Sequence, residues 1–128
     1  MLLIPTRIGP SSIHGIGLFS VVDIPKGTVI WRWDPSLDQE IPWDIAQKWP
    51  QTAQKFLQTY AYRNLDNKTW MLCGDAARHM NHSFTPNIHG NGPYAEGPAI
   101  QDIRAGEELT IDYRGFDPDF EKKLAKFH

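Results

Sequence analysis

The residues of this 128-residue chain that could do chemistry fall in three polar, glycine-bearing segments that core packing does not explain. They are His14-Gly15-Ile16-Gly17, the stretch from Arg78 to Asn87 around Asn81-His82-Ser83, and the run from Gly106 to Tyr113. Glycines 15 and 17 suit close approach of main chain to a ligand, or a plain turn. The Asn81 amide offers donors and an acceptor from one group. Tyr113 ends an alternating run with a phenol whose plainer use is to cover a core edge. His79, His82 and His89 raise the question of a metal. They stand at i, i+3 and i+10 in an irregular stretch without a supporting cysteine, which fixes no ligand geometry, so no metal site is expected.

The elements that must position these segments are short. Leu2 to Ile8 and Gly17 to Val22 read as two strands around Gly9-Pro10-Ser11-Ser12 and His14-Gly15, and Thr28 to Trp33 as a third. From Pro42 the spacing of Ile45, Trp49, Ala53, Phe56 and Tyr60 predicts one helical face, divided by Pro50 into two short helices over about 42–59. Ala61 to Leu65 and Lys68 to Cys73 read as a hairpin about Asp66-Asn67. Strand patterns return at Pro98 to Ile103 and Glu108 to Tyr113. The tail from Asp117 to Phe127, acidic first and basic last, predicts a short helix.

Composition sets the class. With 41% hydrophobic residues, ten glycines and ten prolines, the chain supports one turn-rich, mainly β domain spanning 1–128. A net charge of -2 without a Lys/Arg cluster argues against direct nucleic-acid binding. The single Cys73 rules out an intrachain disulfide and reads as a small buried hydrophobe. No stretch reaches membrane-spanning length and the first residues make no signal peptide, so a soluble, intracellular protein is expected.

Taken together and in this order, the three segments resemble the motifs of the SET-domain lysine methyltransferases. That family has a Gly-x-Gly near its start, Arg-Phe-x-Asn-His-Ser-Cys-x-Pro-Asn, and a closing Gly-Glu-Glu-Leu-Thr-Phe-Asp-Tyr. The second motif matches at Arg78, Asn81, His82, Ser83, Pro86 and Asn87, and the third everywhere except Ile111. Thr59-Tyr60-Ala61-Tyr62, Leu65-Asp66-Asn67 and Gly74-Asp75 are similar to the family's strand and turn before the second motif.

The resemblance implies a β-clip-like SET fold of several small curved sheets, short helices and a C-terminal pseudoknot that brings Asn81-His82 beside Tyr113. It implies transfer of a methyl group from S-adenosylmethionine, leaving S-adenosylhomocysteine, to the ε-amine of a lysine in a protein or peptide. By resemblance His14, Gly15, Ile16, Gly17, Asn81, His82 and Tyr113 hold the cofactor, and Tyr113 is catalytic. Tyr60, Tyr62, Ile111 and Phe116 line the lysine channel, with Phe116 and Phe120 supplying an aromatic lid. Asp112, Asp117 and Asp119 suggest a basic substrate segment. A chain without flanking modules invites a homodimer.

Three departures stand out. Phe84 replaces the usual Cys, Ile111 stands where Phe or Tyr influences methyl count, and the zinc-binding cysteine tail is missing, so residues 114–128 must close the channel. A non-catalytic SET-like binding module and a small metal hydrolase are the competing readings.

Overall fold

The computed structural model describes residues 1–94 and 96–125. In chain order the first elements are β1 (Thr6–Pro10), β2 (Ile16–Ser20), β3 (Val29–Trp31), β4 (Gln39–Pro42), α1 (Trp43–Ala46) and α2 (Gln51–Tyr60). They are followed by β5 (Tyr62–Asn64), β6 (Thr69–Leu72), β7 (Asn81–His82), β8 (Gly97–Pro98), β9 (Thr110–Ile111) and α3 (Phe120–Leu124). Single 3-10 turns lie at Ala76–His79 and Tyr113–Gly115.

Four small sheets result: the hairpin β1-β2, the pair β3-β8, the three strands β4-β6-β5, and the pair β7-β9. Several strands are shorter than their sequence patterns. The alternating run from Pro98 to Ile103 survives only as β8 and two isolated bridges, Ile88 to Ala99 and Ile24 to Ile103. The run ending in Tyr113 keeps just Thr110–Ile111 as strand.

Pro50 does divide the helical stretch, with α1 ending at Ala46 and α2 beginning at Gln51. The buried face differs from the expected one. Ala46 and Leu57 are the residues fully covered, while Ile45 is 51% and Phe56 37% exposed. The offset is one residue in both helices, so the buried stripe is the expected one turned slightly, and Trp49 and Tyr60 of the expected face still pack against it. Ala46 and Leu57 join Ile41, Ala61 and Leu72 in one apolar cluster. A second cluster, with Leu18, Ile30, Ile88, Ile103 and Leu109 at its centre, holds the other sheets together.

The last strand is threaded between two arms of the preceding loop. On one side β7 pairs with β9 in parallel, Asn81 opposite Thr110 and His82 opposite Ile111. On the other, the Ile88 N–H donates to the Thr110 carbonyl at 3.0 Å. Asn87 fastens the crossing: its Nδ2 donates to the Glu108 carbonyl at 2.8 Å and its Oδ1 accepts from the Thr110 N–H at 2.9 Å. No helix among the described residues is long and apolar enough to cross a membrane.

Candidate active site

The β1-β2 hairpin turns through Ser11 to Gly15, and the turn is held internally. The Ser11 N–H donates to the Gly15 carbonyl at 2.9 Å, and Ser11 Oγ accepts from the Ile13 N–H at 2.9 Å. Gly15 has φ +46°, a conformation other residues rarely adopt, with open space where a side chain would stand. Gly17 is required for a different reason. A Cβ there would lie 2.6 Å from Glu108 Oε2, so a carboxylate of the chain itself fills the space expected for a ligand.

That carboxylate belongs to a small part-buried network. Glu108 accepts from Ser11 Oγ at 2.8 and 2.9 Å and from Asn81 Nδ2 at 3.1 Å. The same Nδ2 faces the His14 carbonyl at 3.0 Å and the Ile16 carbonyl at 3.3 Å. Asn81 thus spends its donors on holding the glycine turn against β7. A side-chain amide is suited to this, because one nitrogen supplies two N–H groups to converging acceptors.

His82 also serves position. Its Nδ1 accepts the Tyr113 N–H at 3.0 Å, which fixes the neutral tautomer with the proton on Nε2, a buried atom with no hydrogen-bond partner among the described residues. Burial holds its pKa below the ordinary imidazole value; Asp112 opposes that shift and Arg114 adds to it. The 3.8 Å approach of Asp112 to Nδ1 is therefore not a charged pair. His82 packs edge-on against Tyr113, with ring centroids 5.3 Å apart.

Tyr113 stands where two cavities meet. Its hydroxyl donates to the Met80 carbonyl at 2.6 Å, and burial raises its pKa above that of a free phenol. The larger cavity, about 310 Å³, is bordered by His14, Gly15, Ile16, Asn81 and Tyr113. It also meets Arg78, His79 and Lys123, and no carboxylate among the described residues lines it. The narrower cavity, about 80 Å³, is bordered by Tyr60, Tyr62, Ile111, Tyr113 and Phe116. Thr59, Tyr60, Arg78, Met80, Tyr113 and Lys123 line both.

The walls of the narrower cavity are fixed by ring contacts. Phe116 lies 5.0 Å from Tyr62 and 5.8 Å from Tyr113, centroid to centroid. The Tyr62 hydroxyl donates to the Pro93 carbonyl at 2.9 Å, and burial raises its pKa. Gly90 leaves room for Ile111, whose side chain occupies the place a Cβ would take. Cys73 lines the same cavity, and burial, helped by the Asp38 charge, pushes its thiol up to about 12.

The structure brings together most of the residues singled out from sequence, with corrections. Gly17 and His82 line neither cavity and act behind them. Phe116 reaches the channel, whereas Phe120, at the start of α3, does not. The aspartates read as a basic-peptide surface are engaged within the chain. Asp112 pairs with Arg114 at 2.6 Å, Asp117 with Lys123 at 2.6 Å, and Asp119 with Arg63 at 2.6 Å. Among the described residues no group of three or more His, Cys, Asp or Glu could hold a metal. His79 instead stacks edge-on with Tyr60 at 5.3 Å.

Four contributors were missed. Arg78 carried its own signal as the first residue of the second motif. Met80 acts through its backbone carbonyl, which no residue type reveals. Trp31 and Lys123 reach the narrower cavity from distant parts of the chain, and nothing near them in sequence marks them.

Residues 15–114 match the sequence profile of the SET domain. The chain belongs to the SET-domain family. It is 31% identical over 122 residues to human Histone-lysine N-methyltransferase 2B, across 89% of this chain and 4% of that protein. It is 30% identical over 117 residues to the H3 lysine-4 specific histone-lysine N-methyltransferase of Schizosaccharomyces pombe, across 84% of this chain and 12% of that one. The chain thus spans a small part of the curated relatives it matches. Among solved structures it resembles the Polycomb Repressive Complex 2 of Chaetomium thermophilum bound to S-adenosylmethionine, at a TM-score of 0.68 and 23% identity. That match covers 96% of this chain and 17% of the other. Gly15 and Gly17, the Asn81-His82 arm and the segment from β9 to Tyr113 fall within the matched residues of this SET domain.

Proposed function

We propose that this SET domain is a protein-lysine N-methyltransferase that uses S-adenosylmethionine. The observation that carries the reading is the meeting of two cavities at Tyr113, one bounded by the glycine turn and cationic groups, the other narrow and aromatic. The likeness to histone-lysine methyltransferases over most of this chain supports it.

The larger cavity fits the cofactor by its donor set. Gly15 leaves space beside the main chain, and Arg78 offers positive charge to a carboxylate where no acidic side chain among the described residues competes. When bound there, the sulfonium supplies an activated methyl group. His14, Gly15, Ile16 and Asn81 would border the cofactor, while Gly17, Glu108 and His82 hold those residues in place.

The narrower cavity would take the lysine side chain. Aromatic walls from Tyr60, Tyr62 and Phe116 strip water from an entering amine, which disfavours its charged form. Tyr113 positions and does not remove protons. Its own proton is committed to the Met80 carbonyl and its pKa is raised, so the oxygen lone pairs remain for the reacting centre. Alignment of the two reactants is the main contribution of the protein.

The acceptor is a lysine of a protein or peptide. A basic flanking sequence draws little support from Asp112, Asp117 and Asp119, whose charges are neutralised internally. Labelled methyl transfer from S-adenosylmethionine to a proteome extract, with Tyr113→Phe as control and mass spectrometry of the products, tests the reading. Label on lysine that depends on Tyr113 is expected. Cofactor binding without any transfer would leave a binding module.

A further inference from the structure

One charged group at the junction is unused by the mechanism above. Lys123 is the only lysine among the described residues that lines either cavity, and it lines both. Its side chain is 13% exposed, and its Nζ lies 6.0 Å from the centre of the Tyr113 ring. Nζ donates to the Ala61 carbonyl and to Asp117 Oδ2, each at 2.6 Å. An ammonium has three donors, so these two bonds leave the third position of Nζ without a described partner.

The segment that carries this lysine is anchored. Arg63 donates from Nε and Nη2 to the two oxygens of Asp119, at 2.6 and 2.7 Å. The Lys123 N–H also donates to the Asp119 carbonyl at 3.2 Å, setting the turn of α3. The fold itself thus delivers an amine to the edge of the site that a substrate lysine would otherwise reach by diffusion. Such tethering replaces a bimolecular encounter with an intramolecular one.

We propose that Lys123 is a methyl acceptor of this chain, so that the SET domain modifies its own C-terminal helix. The proposal rests on the methyltransferase reading. Nζ first gives a proton to Asp117 Oδ2, to which it is bonded, and this frees its electron pair. The Lys123 Nζ–carbon bond then forms as the sulfonium–methyl bond breaks, and the electron pair of that bond stays on sulfur to give a thioether. The products are N-methyl-Lys123, S-adenosylhomocysteine and one proton. Methylation keeps the charge of Lys123 and takes the position without a described partner, so two N–H groups remain for Ala61 and Asp117.

The test uses the full chain with methyl-labelled S-adenosylmethionine and no other protein, followed by intact mass and peptide mapping. The expected result is one methyl mass on Lys123, at a rate per molecule unchanged by dilution, and absent from Tyr113→Phe and Lys123→Arg. A second readout needs no turnover: acetic anhydride labelling of Lys123, with exposed Lys122 as internal standard. S-adenosylhomocysteine should slow acetylation of Lys123 at least severalfold and leave Lys122 unchanged. Methylation of a proteome extract with Lys123 unmodified would overturn self-methylation and leave the activity standing. Absence of label on both, with S-adenosylhomocysteine bound, would overturn the activity and this proposal with it.

Discussion

Asn81→Ala tests whether the asparagine holds the glycine turn or only touches a ligand. Asn81 is 6% exposed, and its Nδ2 faces the His14 and Ile16 carbonyls and Glu108 Oε2 at 3.0, 3.3 and 3.1 Å. Two N–H groups make two full bonds at a time, one to a neutral carbonyl and one to a carboxylate, and these part-buried bonds are together worth about 2 kcal/mol. At this chain length that corresponds to a fall in melting temperature of roughly 10 °C. A loosened turn must also be re-ordered on binding, and about 1.4 kcal/mol of that lowers affinity about tenfold. Asn81→Asp should be worse than Ala, since it aims a carboxylate at three acceptors. Calorimetric unfolding and titration with S-adenosylhomocysteine supply both numbers. Unchanged melting in Asn81→Ala would refute the anchoring role, and lost binding with unchanged melting would put Asn81 in direct contact with the cofactor instead.

Tyr113→Phe removes the hydroxyl bonded to Met80 and should cost only about 1 kcal/mol of stability. Steady-state kinetics should nevertheless show turnover lowered by roughly 10²-fold. Ending the chain after Gly115 removes Phe116, Asp117 and Lys123 from the narrower cavity, and transfer to a lysine peptide should be lost while S-adenosylhomocysteine still binds. Arg63→Met frees Asp119, so hydrogen exchange across 117–124 should quicken and KM for the peptide rise. His79 and His82 both have pKa values lowered by burial. The unfolded chain therefore binds more protons below about pH 6.5, and their contribution to stability is full above that value and is lost as pH falls toward the folded pKa values. Melting temperatures from about pH 7 to about pH 5 should decline less steeply for His82→Gln than for the parent.

Much of the site was legible because its residues lie in three contiguous motifs, where type and spacing survive without knowledge of the fold. The parallel pairing of Asn81-His82 with Thr110-Ile111 was not legible from pattern, since two-residue strands carry no periodicity. It followed from the family resemblance alone. The helical face was read one residue early at Ile45 and Phe56, because spacing locates an apolar stripe without separating its centre from its edge, and Ala46 and Leu57 took the buried positions. Gly17 was read as room for a ligand, yet Glu108 fills that room, a pairing across the sequence that no local window contains. The aspartates were counted as free surface charge for the same reason, since Arg63 and Lys123 find Asp119 and Asp117 only in three dimensions. Backbone acceptors such as the Met80 carbonyl are invisible to any reading by residue type.

A structure of this SET domain with S-adenosylhomocysteine and a lysine peptide tests the central claim most directly. The account predicts the cofactor in the larger cavity against His14, Gly15 and Ile16, the lysine side chain between Tyr62 and Phe116, and sulfur and Nζ meeting beside Tyr113. A cofactor bound elsewhere, or a lysine that reaches the sulfur without passing the aromatic walls, would contradict it.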